Sequence, residues 1–68
     1  MKGKEPEKFR VMYLVRAIPD IGLDNIASKE EAEKTRGFFK RQGYTAWVET
    51  TKGEFVPVKG AARKPGHL

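Results

Sequence analysis

The side chains that could take part in a reaction are few. There is one serine, Ser28, one histidine, His67, and no cysteine. Ser28 stands where a helix should begin and His67 is next to the C-terminal residue, so neither a Ser-His-Asp nor a Cys-His set can be assembled. Glu30, Glu31 and Glu33 crowd the start of that same helix, where free amides and the helix dipole account for them without a catalytic carboxylate pair. Asp20, Asp24 and Asn25 lack the alternating oxygen ligands and terminal Glu of a calcium loop and read as turn formers. No glycine-rich phosphate loop and no metal-ligand spacing is present. The pattern points away from an enzyme, a metal or a cofactor, and toward a binding domain.

Two sets of residues have the chemistry for binding. The first is aromatic and apolar: Trp47, Phe55 and Pro57, joined by Tyr13 if the first strand turns that way, which would form a patch on one side of a sheet and offer rings to a protein surface, a nucleobase or a sugar. The second is basic: Lys40, Arg41, Lys59, Arg63 and Lys64, which would attract the phosphates of a nucleic acid. The net charge of +5 is unevenly placed, because residues 59 to 68 hold +3 of it and residues 9 to 58 only +1. Most of the basicity therefore sits toward the end AARKPGHL, which weakens the argument for a folded nucleic-acid groove.

The elements that must position these residues can be read in order. Residues 1 to 8 are charged, contain Gly3 and Pro6 and have little to bury, so they are expected to be a disordered tail, as are residues 61 to 68. FRVMYLVRAI, residues 9 to 18, is β-branched and aromatic and reads as the first strand. Phe9, Val11, Tyr13, Val15 and Ala17 lie on one side of it and Arg10, Met12, Leu14, Arg16 and Ile18 on the other, both apolar at the centre. Either side could meet the helix. Pro19 ends that strand, and residues 19 to 27 are expected to form a loop whose Ile21, Leu23 and Ile26 fold back onto the domain.

Ser28 and Glu31 form the S-x-x-E capping box of a helix that runs to about Gln42. Its apolar stripe is expected to be Ala32, Thr35 and Phe39, with Lys34, Gly37 and Arg41 facing away. Gly43 supplies the left-handed stop, and Tyr44 falls where a Schellman ending puts its contact to Phe39. Residues 44 to 50 and 54 to 59 then read as two strands. A three-residue loop, Thr51-Lys52-Gly53, pairs Val48 with Val56 and Ala46 with Val58, whereas a two-residue turn would oppose Glu49 to Val56. The first register sorts the faces, with Tyr44, Ala46, Val48, Val56 and Val58 on one and Thr45, Trp47, Glu49, Phe55, Pro57 and Lys59 on the other. The expected fold is α+β, in the order β-α-β-β, with one helix on one face of a three-stranded sheet spanning residues 9 to 60.

The run from Ser28 to Gly60 resembles the first half of a SPOR domain, the sporulation-related repeat that binds cell-wall glycan. The resemblance rests on Ala32 in the helix, Gly43-Tyr44 at its end, Ala46 and Val48 in the next strand, and Gly53-Glu54-Phe55 followed by Val56, Val58 and Gly60. It implies a βαββ unit that binds through its exposed sheet face, with glycan as a ligand class. The family's second helix and last strand have no counterpart here, which points to two copies completing one another.

One helix covers one sheet face, so the other needs a neighbour: the chain's own loop, a second chain, or a stacked ligand. The sequence therefore predicts a small non-catalytic interaction domain, most simply a homodimer or a partner of another protein through the face carrying Trp47. Nucleic-acid binding through that face and the basic residues is the alternative. The start MKGKEPEK has no apolar core and no apolar run is long enough to span a bilayer, so a cytoplasmic protein with no membrane partner is expected.

Overall fold

The computed structural model describes residues 7–60 and 62–63. Lys2, Lys4, Lys64 and His67, and with them most of the two expected tails, lie outside the described residues. Lys8 does not behave as part of a tail, because its carbonyl accepts a hydrogen bond from the Thr51 amide at 3.2 Å.

β1 (Phe9–Val15) is followed directly by β2 (Ile18–Ile26). The two are antiparallel and joined by a two-residue turn in which Arg16 and Ala17 both have positive φ, 53° and 69°. That is the mirror-image turn that matches the twist of a tight hairpin. The expected loop at residues 19 to 27 is therefore a strand, and the sheet has four strands where three were expected. Pro19 permits this. In such a hairpin the pair flanking the turn, Val15 and Ile18, exchanges hydrogen bonds, and the next pair, Leu14 and Pro19, does not. The missing N–H of Pro19 thus falls on the open side of an edge strand. Two register shifts bend β2 near Gly22 and Asn25, and Asn25 takes up the second with a φ of 60°.

α1 (Lys29–Arg41) begins and ends as its caps dictate. The Ser28 hydroxyl accepts from the Glu31 amide at 3.2 Å and donates to the Glu31 carboxylate at 3.3 Å. At the other end Gly43, with a φ of 95°, donates to the Lys40 carbonyl and Tyr44 donates to the Phe39 carbonyl, the bond pair of a Schellman ending. Beyond it come β3 (Ala46–Thr50) and β4 (Phe55–Val56). The connecting turn has Gly53 at a φ of 90°, and Val48 pairs with Val56 and Glu49 with Phe55, the register that sorts the faces. The Thr50 hydroxyl stitches the turn by accepting from the amides of Lys52 and Glu54.

The sheet order is β2-β1-β3-β4 and every neighbouring pair is antiparallel. Because the hairpin reverses the chain before the helix, β1 and β3 run antiparallel rather than as the two parallel arms of a crossover. β2 and β3 are the parallel pair, with β1 between them. The expected α+β class holds, with one helix on one sheet face. The core lies between them and is made of Val11, Ile26, Ala32, Val48 and Val58, with Phe9, Phe39 and Val56 packed around it. On the helix, Ala32 and Arg36 are the buried pair, while Thr35 and Phe39 are half-buried.

The Phe39 ring stacks on Tyr13, with centroids 4.6 Å apart, and lies so close over Gly22 that a Cβ there would sit 2.6 Å from it. Gly22→Ala should therefore lower stability by about 1–3 kcal/mol, through the strain of an overfilled core. Combining it with Phe39→Leu should cost less than the sum of the two single changes, as read from urea unfolding midpoints. The turn yields a prediction of opposite sign. Arg16 and Ala17 occupy the left-handed region at a cost of about 1 kcal/mol or more each. Replacing them by Asn and Gly should raise the unfolding midpoint, and an unchanged or lowered midpoint would contradict the turn type.

Candidate functional site

The structure splits the aromatic set. Tyr13 is on the helix side of the sheet, in a cluster with Phe39 and with Tyr44, whose ring meets it edge-on at 5.0 Å. Strand alternation and the pairing of Met12 with Trp47 put Trp47 on the far side, and the pairing of Glu49 with Phe55 brings Phe55 and then Pro57 to that same side. Tyr13 therefore belongs to the core layer and cannot join Trp47, Phe55 and Pro57.

Trp47 is 1 % exposed. Its indole N–H donates to the Glu49 carboxylate at 2.8 Å, one alternation along the same strand, so the polar edge of the ring is directed along β3. A base or a sugar ring has no free indole face to stack on. Around it Met12, Leu14 and Phe55 are half-buried, Pro57 is exposed, and Ile21, which pairs with Met12 on the edge strand, is 46 % exposed. Ile18 and Leu23 are also exposed on β2. Of the three neighbours the sequence allowed for this face, cover by residues 19 to 27 is not what forms, since they extend the sheet sideways as β2.

The acidic residues of β2 are engaged locally. Asp24 accepts from the Arg10 guanidinium at 3.0 Å and from the Asn25 amide at 2.8 Å. The Arg10 hydrogen bond, aided by that amide, holds the Asp24 carboxyl below the usual aspartate range. No group of His, Cys, Asp or Glu among the described residues is placed to hold a metal ion, and no helix among them is long and apolar enough to cross a membrane.

Of the basic set, the fold brings Lys40 and Arg63 together. They line a cleft between the last turns of α1 and the start of β3, along with Tyr44, Thr45 and Gly60. Arg41 and Lys59 are exposed but do not line it, and Lys64 is outside the described residues. The residue at the floor was absent from the expected set. Arg36 is buried, and its guanidinium donates from Nε to the Ala46 carbonyl at 3.3 Å and from Nη2 to the Gly60 carbonyl at 3.0 Å. One signal pointed to it: at i+4 from Ala32 and i−3 from Phe39 it lies on the apolar stripe.

No family model, curated protein or solved structure matches the chain.

The placement of Trp47 can be checked directly. Its fluorescence should be that of an apolar environment, with little iodide quenching until urea unfolds the chain. Trp47→Ala should remove about 3–5 kcal/mol, the usual cost of deleting a buried large ring. Red-shifted, readily quenched native emission would contradict the burial.

Proposed function

We propose that this chain is a non-catalytic interaction domain that self-associates through the sheet face opposite α1. The observation that carries this reading is the row of apolar side chains, Ile21, Met12, Leu14, Phe55 and Pro57, on a face across which no described element lies. A sheet that has a helix on one face only ordinarily buries the other against a second layer. A second copy supplies that layer with a matching surface, because a two-fold contact uses the same patch twice. The outer edge of β2 is a poorer contact, since its register shifts, Asp20 and Asp24 are features that blunt strand addition. Ser28 and Glu31 are occupied as a helix cap.

A second reading, contact with a nucleic-acid backbone, is favoured by the grouping of Lys40 and Arg63 beside Arg36. Trp47 contributes no stacking platform to it.

Sedimentation velocity across micromolar to near-millimolar protein should show a concentration-dependent dimer. Ile21→Lys and Pro57→Glu, at exposed positions, should shift it to monomer without lowering the unfolding midpoint. A chain that stays monomeric across that range would refute self-association, and a dimer indifferent to both changes would move it to another surface.

A further inference from the structure

Positive charge gathers in the cleft at the C-terminal end of α1. Among the described residues Arg36, Lys40 and Arg63 line it and no carboxylate does. Among the described residues the single ion pair is Arg10 with Asp24, on another part of the sheet. Arg36 is 9 % exposed as a whole residue, and its two bonds go to the neutral carbonyls of Ala46 and Gly60. These use two of five guanidinium donors. Buried charges in proteins are ordinarily paired, because removing an ion from water is costly and neutral acceptors offset only part of that cost.

Gly60 leaves room beside the guanidinium. Its φ is 84°, and a Cβ there would lie 3.2 Å from Arg36 Nη1. A side chain at this position would strain the backbone and crowd the one nitrogen that makes no bond to a carbonyl. The backbone conformation and the arginine fork are thus matched, and Lys40 and Arg63 line the same cleft as Arg36.

We propose that this cleft binds a phosphoryl group. Arg36 is the fixed donor, held in place by its two carbonyls, and Lys40 and Arg63 are the outer cations that meet the remaining oxygens. A planar guanidinium presents paired N–H groups at the spacing of phosphate oxygens, and lysine adds a point charge. Size argues for the group alone. At about 230 Å³ the cleft is smaller than the roughly 300–1,000 Å³ that encloses a drug-sized ligand. The rest of the ligand stays in solvent. The shared chemistry is a phosphate ester, from a nucleic-acid backbone or a free phosphorylated compound, and the site does not depend on the sheet-face contact.

The test is a titration of the full chain, followed by NMR of the backbone amides and of the Arg36 Nε–H, at constant ionic strength. The probes are inorganic pyrophosphate and, separately, an oligothymidylate. Saturable shifts centred on Arg36, Tyr44, Ala46 and Gly60 are expected. The combined Lys40→Ala and Arg63→Ala variant should weaken binding about tenfold or more, as expected for charge-assisted bonds, with an unchanged unfolding midpoint. Arg36→Lys should abolish saturation, but it also removes both carbonyl bonds, so the exposed pair carries the test. Tighter binding of the oligonucleotide at the same residues assigns the backbone as source, and equal or tighter pyrophosphate binding assigns a free phosphorylated compound. Shifts that never saturate, that spread evenly over Lys29, Lys34 and Arg41, or that persist in the double variant would overturn the site.

Discussion

The whole arrangement depends on how closely α1 approaches the sheet. Ala32 sits over Val11 and Val48, and all three are fully buried, so the helix meets the two central strands through a methyl group and two branched aliphatics. The same closeness is repeated one strand over, where Phe39 lies directly on Gly22. Small residues at these two points let the helix lie flat on the sheet. From that follow the pairing of Phe9, Val11 and Tyr13 with the helix side and the consignment of Met12, Leu14 and Trp47 to the other.

A chain of 68 residues can hide only about 60% of the surface its unfolded form exposes. Here α1 lies on one side of a four-stranded sheet, and the hairpin that widens the sheet also widens the side on which no described element lies. Trp47 escapes exposure, whereas Ile21 does not. Small residues thus allow close packing on one face while the sheet retains apolar area on the other.

Burying Arg36 is the second consequence of that helix placement. The residue occupies a core-facing position of α1, one turn past Ala32, and its guanidinium reaches beyond the core to the carbonyls of Ala46 and Gly60. It therefore ties the start of β3 to the stretch after β4. The negative end of the helix dipole lies nearby and eases the local cation density in part, as do the two carbonyls. Lys40 and Arg63 add to that density.

Features set by short-range chemistry were legible in the sequence. The Ser28 cap, the Gly43 stop and the register imposed by Gly53 each depend on one or two residues and their own backbone, so residue type alone specified them. The hairpin at Arg16-Ala17 was not legible, because neither residue favours positive φ; pairing along β1 and β2 compels the turn rather than the turn nucleating the pairing. Pro19 looked like a strand stop because its lost N–H matters only when the strand's neighbours are known. Tyr13 could have faced either way, since both sides of its strand are apolar, and Arg36 was absent from the expected basic set. Those outcomes were decided by the fold alone, because they depend on which surfaces meet: the helix had to find Gly22 and Val11 beneath it before the side of β1, the burial of Trp47 and the partners of Arg36 had any definite value.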